Sequence, residues 1–246
     1  MTIALITAAG KGKRMKLDTP KQFLYVEDKP VIIYTLEAFQ SHPSIDAILV
    51  VCLEGWHDIL WTYARQYGIK KLRWIINGGN TGHDSIYCGL MELKKYCSED
   101  DAVLIHDGNR PLVPQEVISD GLVVYSKHGS SVSVIPCTEV VFRSINDYVS
   151  KEEIPREQLF RTQTPHIFSL KKLLWAHGKA KTENIEAPSA TCSLMNVLNE
   201  PIYFSRGSEI NIKITTVDDI EIFKAFLYLK SMLGSRKQHV HYQSSL

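Results

Sequence analysis

The sequence has few cysteines, and their spacing suits neither a disulfide framework nor a metal site. Five cysteines are scattered through 246 residues, and no two of them form a C-x-x-C pair. An odd and unpatterned set of this kind is typical of reduced thiols in the cytoplasm. We therefore expect structural cysteines and a cytoplasmic protein.

Long apolar runs and an excess of charge of one sign are also missing. No apolar stretch is long enough to span a bilayer, and the N-terminus lacks the pattern of a secretory leader. The 28 basic side chains nearly balance the 27 acidic ones, which leaves a formal net charge of +1. We expect no membrane partner and no nucleic-acid partner, so any basic cluster must be interpreted locally.

Apolar runs alternate with amphipathic helical patterns through the first half of the chain. Strands are predicted at IALITA, AILVVC, RWIIN, AVLIHD and SVSVIP, with a helical segment between each pair of neighbours. Near-continuous runs of Val, Ile and Leu separated by helices indicate an α/β fold. The expected architecture is a mostly parallel sheet covered by helices on both faces.

The pattern changes after Pro136. The segment TEVVFRSINDYVSKEEI is rich in β-formers and interrupted by the turn-like SINDY, so a β-arm is predicted over residues 137–158. The chain then returns through LFRTQTPHIF, a helix at SLKKLLWAHGKA, and a long helix from about Val217 to Leu233. We predict a single domain over residues 1–234, followed by a flexible polar tail over 235–246.

A glycine turn rich in cations follows the first predicted strand, in the stretch AAGKGKRMKLDTPKQF. Gly10 and Gly12 let backbone N–H groups approach an anion, and the neighbouring cations supply charge. The spacing lacks the third glycine of a dinucleotide fingerprint and the G-K-[ST] ending of a P-loop. Pro20 fixes the chain direction before Lys21 and so aims a further cation across the loop. The pattern suits a polyphosphate site, although a solvated basic turn would contain the same residues.

The stretch AAGKGKRM…PKQF resembles the opening signature of the 2-C-methyl-D-erythritol 4-phosphate / D-ribitol 5-phosphate cytidylyltransferase family. The resemblance continues in order through INGGNTGHDSIYCGL, LIHDGNRP, IPREQLFRTQTPHIF and NIKITT, roughly from Ile3 to Leu227. It implies a Rossmann-like nucleotidyltransferase fold and a homodimer formed through the β-arm. It also implies an Mg²⁺-dependent transfer of CMP from CTP to a sugar-alcohol phosphate, with release of pyrophosphate.

The resemblance implies roles for individual residues. Arg14 and Lys21 would orient the α-phosphoryl group and neutralise its charge, and the attacking phosphate oxygen is already anionic, so no general base is needed. The implied nucleotide contacts are Ala8, Ala9, Gly10, Gly12, Gly79, Asn80 and Ser85. The implied acceptor contacts are Asp107, Arg110, Arg156, Thr164, Ser189 and Lys213. Asp107 is open to three interpretations: an Mg²⁺ ligand, a partner for ribose or acceptor hydroxyls, or half of a structural ion pair with Arg110.

Four positions depart from the family pattern. Gly82 stands in place of an arginine, Asn109 in place of a small residue, His166 in place of glutamine and Ala190 in place of an acidic residue. The acceptor is therefore open between methylerythritol phosphate, ribitol phosphate and another polyol phosphate, and NIKITT is closer to the ribitol branch. A nucleotide-binding regulator without turnover is an alternative that Gly82 supports and that the presence of Arg14, Lys21 and Asp107 argues against. A nicotinamide-dependent oxidoreductase is a third, against which the missing third glycine argues.

Overall fold

The structure is a computed structural model that describes residues 1–10, 12, 19–185 and 190–243, with side chains as far as residue 232. Two predicted site residues, Arg14 and Ser189, lie outside the described residues. The strands are β1 Thr2–Ala8, β2 Tyr25–Val26, β3 Lys29–Pro30, β4 Ala47–Cys52, β5 Leu72–Asn77, β6 Ala102–Asp107, β7 Ser130–Pro136, β8 Val141–Ser144, β9 Ser150–Ile154, β10 Phe160–Ser169 and β11 Phe204–Arg206. The α-helices are α1 Val31–Ser41, α2 His57–Gln66, α3 Gly82–Leu93, α4 Gln115–His128, α5 Leu170–Thr182, α6 Thr191–Val197 and α7 Val217–Gln243.

The central sheet has seven strands in the order β11-β7-β10-β6-β1-β4-β5. All neighbouring pairs are parallel except those of β10, which is antiparallel to both β6 and β7. This confirms the mostly parallel sheet. The sequence predicts β10 only as a return segment; it runs against its neighbours because the chain enters it from the arm and not through a crossover helix.

Helices cover both faces of this sheet. Ala4 and Ile6 of β1 pack towards α1, α2 and α4, whereas Ile3 and Leu5 pack towards α3, α5 and α6, since successive residues of a strand face opposite sides. Every residue of β4 is buried, which explains why AILVVC is an unbroken apolar run. Within the described ranges, no helix combines the length and the apolarity needed to cross a membrane.

The segment predicted as a β-arm, residues 137–158, contains a hairpin. β8 and β9 form a separate two-stranded antiparallel sheet, and the Ile145 amide donates to the Val149 carbonyl at 2.9 Å. The hairpin presents apolar side chains to the surface of this single chain, including Phe142 at 57% exposure and Tyr148 at 93%.

The last helix is longer than the sequence predicts. α7 continues to Gln243, ten residues past the expected end at Leu233 (243 − 233), so the predicted tail begins inside a helix. No proline interrupts the stretch from Gly234 to Gln243, and its basic and amide side chains are good helix formers. The flexibility of residues 235–246 stays a prediction.

The parallel strands bring distant loops to one edge of the sheet. β1, β4, β5 and β6 end at Ala8, Cys52, Asn77 and Asp107, all at the carboxyl edge. Ligands of open α/β sheets bind at this edge. The fold therefore gathers the loops after β1, β5 and β6 in one place.

Candidate active site

A cleft of about 490 Å³ opens at the carboxyl edge of the sheet. The loops after β1, β5 and β6 form its walls, together with the segment that precedes α7. Nine of the predicted site residues line it: Ala8, Ala9, Gly10, Lys21, Gly79, Asn80, Ser85, Asp107 and Lys213. Residues separated by about two hundred positions in the chain thus share a single cavity.

Lys21 reaches the cleft from a short 3-10 turn, Lys21–Phe23, that begins directly after Pro20. The next residue, Gln22, is buried, and its Nε2 donates to the carbonyl oxygens of Ala8 at 2.6 Å and Gly10 at 3.2 Å. These two bonds fasten the turn to the glycine loop, and the first of them satisfies the carbonyl of the buried Ala8. Gln22 is a positioning residue that sequence reasoning missed, although the PKQ motif contained it.

The loop after β5 forms the opposite wall and leads into α3. Thr81 caps this helix: its Oγ1 accepts from the Asp84 amide at 3.0 Å, and the Asp84 carboxylate accepts from the Thr81 amide at 3.2 Å. The Ser85 hydroxyl donates to the Thr81 carbonyl at 2.8 Å and accepts from the Gly79 amide at 3.1 Å. Its hydrogen is thus in use, which leaves one lone pair to accept from a ligand N–H.

Glycine allows the two walls to touch. A Cβ on Gly78 would lie only 2.3 Å from the Cβ of Ala9 and 2.8 Å from the Ser85 hydroxyl. Gly82 is different, because a Cβ there meets nothing within 4 Å. The space at Gly82 would admit the larger side chain that the family pattern has at this position.

Asp107 holds two cations at the other end of the cleft. Its Oδ2 accepts from Arg110 Nε at 3.0 Å, and its Oδ1 accepts from Lys213 Nζ at 3.0 Å. Burial alone would raise the pKa of this carboxyl, but the charges of Lys213 and Arg110 outweigh burial and lower it. Asp107 is therefore ionised at neutral pH and positions both cations.

The segment that carries Lys213 is held in place by the turn after β6. Asn109 is buried. Its side-chain Nδ2 donates to the Ile214 carbonyl, and its backbone carbonyl accepts from the Ile214 amide at 2.9 Å. Arg110 Nη1 donates to the Asn211 carbonyl at 2.7 Å. The polar side chain of Asn109, which departs from the family pattern, thus has a structural role beside the cleft.

Asp107 does not suit a resident metal ion in this arrangement. Each of its oxygens already accepts from a cation, and Mg²⁺ would add a third positive centre next to Arg110 and Lys213. Among the residues that the structure describes, no group of three or more His, Cys, Asp or Glu side chains could hold a metal ion. The ion-pair interpretation of Asp107 fits these contacts better than the interpretation as an Mg²⁺ ligand.

Four predicted site residues with described positions do not line the cleft: Gly12, Arg110, Arg156 and Thr164. Gly12 has a positive φ of 64°, which explains the glycine in that loop. Arg110 and Thr164 lie behind Asp107, and the Asp107 amide donates to the Thr164 hydroxyl at 3.2 Å. Arg156 lies at the base of the arm, where its Nη1 donates to the Thr138 carbonyl at 3.1 Å.

The ionised state of Asp107 predicts a pH effect on stability. Its pKa is lower in the folded than in the unfolded chain, so the folded state binds fewer protons and its stability falls as the pH drops below about 4. Asp107→Asn has no such titration. We expect the variant to be less stable than the wild type at pH 7, and the difference in Tm to shrink between about pH 4 and pH 2. Thermal unfolding across this range is the measurement; a constant difference in Tm would contradict the assignment.

The sheet and the cleft together define a class of protein. A mostly parallel α/β sheet with a glycine-lined, lysine-bearing cleft at its carboxyl edge is the arrangement of a nucleotide-binding α/β protein.

Comparison with known proteins identifies the family. The chain belongs to the 2-C-methyl-D-erythritol 4-phosphate cytidylyltransferase family (IspD), whose model matches residues 2–229. It is 42% identical over 234 residues to a ribitol-5-phosphate cytidylyltransferase of Lacticaseibacillus paracasei, which covers 94% of this chain and 100% of that protein. It is 37% identical over 217 residues to a 2-C-methyl-D-erythritol 4-phosphate cytidylyltransferase of Clostridium botulinum, and this match covers 88% of this chain and 93% of that protein.

A solved structure agrees with this assignment. The 4-diphosphocytidyl-2C-methyl-D-erythritol synthase of Anaerococcus prevotii superposes with a TM-score of 0.79 at 25% identity, over 92% of this chain and 96% of that one. The protein is thus a cytidylyltransferase with CTP as a substrate, and the nucleotidyltransferase fold that the resemblance implies is confirmed. Membership of this family decides against a nicotinamide-dependent oxidoreductase.

Proposed function

We propose that the protein transfers CMP from CTP to D-ribitol 5-phosphate and releases pyrophosphate. The observation that carries the choice of acceptor is the match with the ribitol-5-phosphate cytidylyltransferase of Lacticaseibacillus paracasei, which spans that whole protein at 42% identity. The match with the Clostridium botulinum methylerythritol enzyme is weaker, at 37%. The NIKITT segment, which provides Lys213, points to the same acceptor.

The two ends of the cleft suit the two substrates. The glycine walls and the Ser85 hydroxyl at one end provide hydrogen-bonding groups that suit a pyrimidine base. Lys213 lines the other end, next to the ion pair of Asp107 with Arg110, and its charge suits a second phosphate. Lys21 lines the same cavity, and its charge suits the triphosphate.

The reaction needs orientation and positive charge more than proton transfer. An oxygen of the acceptor phosphate attacks the α-phosphorus of CTP, a new P–O bond forms, and the bond to the bridging oxygen breaks as pyrophosphate leaves. Lys21, with Arg14 from the same sequence motif, would neutralise charge on the α-phosphoryl oxygens. Mg²⁺ would accompany the triphosphate, since this ion keeps phosphate and water ligands.

The arm supports a homodimer in this proposal. Phe142, Ile145 and Tyr148 are exposed on a hairpin that projects from the sheet, and exposed apolar side chains grouped in this way mark protein contacts. Arg156, at the base of the arm, does not line the cleft of its own chain. We propose that it serves the acceptor end of the partner's cleft. The free state of all five cysteines agrees with a cytoplasmic location.

Arg156→Ala tests this role of the arm. We expect KM for the acceptor to rise about tenfold or more and KM for CTP to change less than about twofold, because a cation that contacts only one substrate is lost. Arg143→Ala is the matched control, since Arg143 is an exposed arginine of the hairpin that pairs with Glu152. Equal effects of Arg156→Ala on both substrates would contradict the role.

Pyrophosphate release tests the whole proposal. The enzyme is assayed with CTP and Mg²⁺ and with ribitol 5-phosphate, methylerythritol 4-phosphate or glycerol phosphate; ATP, GTP and UTP replace CTP in the controls. We expect release that depends on CTP and is fastest with ribitol 5-phosphate. Faster release with methylerythritol phosphate would overturn the acceptor but not the chemistry. CTP binding without release from any acceptor would favour the regulator without turnover.

A further inference from the structure

We propose that His106 positions the acceptor end of the cleft by fixing both ends of the turn 107–110. The turn begins at Asp107 and ends at Arg110, and the side chains of these two residues form an ion pair beside Lys213. His106 contacts both ends of the turn, directly at one and through the Thr164 hydroxyl at the other. The kinetic test of this idea rests on the proposed function, whereas the spectroscopic test does not.

The hydrogen bonds around His106 run in a single direction. The Asp107 amide lies 3.2 Å from Thr164 Oγ1, and Thr164 Oγ1 lies 3.0 Å from His106 Nδ1. On the other side of the ring, His106 Nε2 lies 3.2 Å from the Arg110 carbonyl. Three contacts therefore connect the first residue of the turn to the last by way of one imidazole ring.

The chemistry of donors and acceptors determines which atom carries the hydrogen in each of these three hydrogen bonds. A backbone N–H can only donate and a carbonyl can only accept. The Arg110 carbonyl therefore requires a hydrogen on His106 Nε2, which leaves Nδ1 of the neutral ring as an acceptor. The Thr164 hydroxyl accepts from the Asp107 amide and gives its own hydrogen to Nδ1. One tautomer satisfies all three contacts.

The surroundings of the ring favour this neutral form. His106 is fully buried, and its ring packs edge-on against Phe39 with 5.0 Å between centroids. Burial lowers the pKa of His106 to about 4, although the Asp107 carboxylate opposes this shift. The ring is thus neutral at physiological pH, as its contacts require.

These hydrogen bonds argue against the direct contact with the acceptor that the resemblance implies for Thr164. A phosphate oxygen can only accept a hydrogen bond, and the single hydroxyl hydrogen of Thr164 is already given to His106. Thr164 is therefore a positioning residue, which acts on the acceptor by holding the Asp107 backbone. Of the two cations that Asp107 orients, Lys213 lines the cleft, so the direct contact with the acceptor phosphate falls to Lys213.

Kinetics of four variants test the proposal. Thr164→Val removes the hydroxyl at nearly constant volume, Thr164→Ser keeps it, and His106→Phe keeps a ring without hydrogen-bonding atoms. We expect Thr164→Val and His106→Phe each to raise KM for ribitol 5-phosphate about tenfold, with KM for CTP within about twofold of the wild type. Thr164→Ser should behave as the wild type. The double variant that combines Thr164→Val with His106→Phe should have a KM for ribitol 5-phosphate no higher than that of the poorer single variant.

Other outcomes of these kinetics would overturn the proposal. Additive losses in the double variant would mean that Thr164 and His106 act independently. A loss in Thr164→Ser as large as in Thr164→Val would mean that the hydroxyl is not the group that positions the turn. His42→Phe is the matched control. His42 is also buried and also bonds through both ring nitrogens, to the Ser119 hydroxyl and the Ser44 amide, but it lies at the opposite edge of the sheet. The His42→Phe variant should have a lower Tm than the wild type and unchanged KM values for both substrates.

The tautomer can be measured on the wild-type protein without any activity. Nitrogen-15 NMR of the imidazole rings should show His106 neutral at pH 7, with the hydrogen on Nε2. Thr164→Val should weaken the protection of the Asp107 amide against hydrogen exchange. A hydrogen on Nδ1, or unchanged protection in Thr164→Val, would overturn the proposal even if His106→Phe fails to fold. A wild type without turnover that still shows the Nε2–H tautomer would refute the proposed function alone.

Discussion

Replacing Lys21 with alanine should lower kcat about a hundredfold or more, which is the usual cost of losing one group that stabilises charge in the transition state. Lys21 lines the cleft from a turn that Gln22 fastens to the glycine loop, so the backbone that carries its side chain is held in place. Charge that accumulates on the α-phosphoryl oxygens would then lose a preorganised partner. Single-turnover measurement of pyrophosphate release separates this step from substrate binding.

The matched control for this experiment is Lys70→Ala. Lys70 is an exposed lysine that precedes β5, at the edge of the sheet opposite the cleft. It should leave kcat and both KM values unchanged. Lys21→Ala should keep the Tm of the wild type within a few degrees, because the Lys21 side chain reaches an open cleft. A Lys21→Ala enzyme with near-normal kcat would refute the catalytic role.

The Gly78→Ala substitution should weaken CTP binding more than tenfold. The added methyl group would lie 2.3 Å from Ala9 Cβ and 2.8 Å from Ser85 Oγ, so the two walls of the nucleotide end would have to separate. Overpacking of this kind costs about 1–3 kcal/mol. A CTP titration and thermal unfolding of the same samples are the measurements. Normal CTP affinity in a folded Gly78→Ala protein would mean that these walls do not hold the nucleotide.

Gly178→Ala is the control for adding a methyl group to the backbone. Gly178 lies within α5, away from the cleft, and a Cβ there meets nothing within 4 Å. Alanine is favoured over glycine inside a helix by about 0.5–1 kcal/mol, so this variant should be slightly more stable than the wild type. Its affinity for CTP should not change. The pair of variants thus separates the effect of contact between the walls from the general effect of the substitution.

Local patterns in the sequence were sufficient to predict the central elements of the fold. AILVVC predicts a buried strand because parallel strands covered on both faces need apolar side chains throughout. The glycine loop and the aspartate that ends β6 predicted the edge of the sheet at which the cleft lies, since ligands bind at the carboxyl ends of parallel strands. These inferences depend only on neighbouring residues.

Features that depend on distant contacts were not predictable in the same way. The direction of β10 follows from pairing with β6 and β7, which no local pattern encodes. Gln22 matters because it reaches two carbonyls of the glycine loop, and a polar residue next to a lysine gives no sign of this. The ion pair between Lys213 and Asp107 joins residues 106 positions apart and replaced a metal ligand as the best interpretation of Asp107.

The residues proposed to bind the acceptor and those proposed to bind CTP lie on different elements, with β10 on the acceptor side. In the proposed function, the loops after β1 and β5 form the end of the cleft assigned to CTP. Residues after β6 and around Lys213 form the end assigned to the acceptor, and β10 supports Asp107 through Thr164. Asn109 and His166, two of the departures from the family pattern, belong to this second set. On this proposal, substitutions there would change the polyol that is accepted and leave intact the loops proposed to hold CTP. A family with one nucleotide donor and several acceptors is a natural outcome of this division.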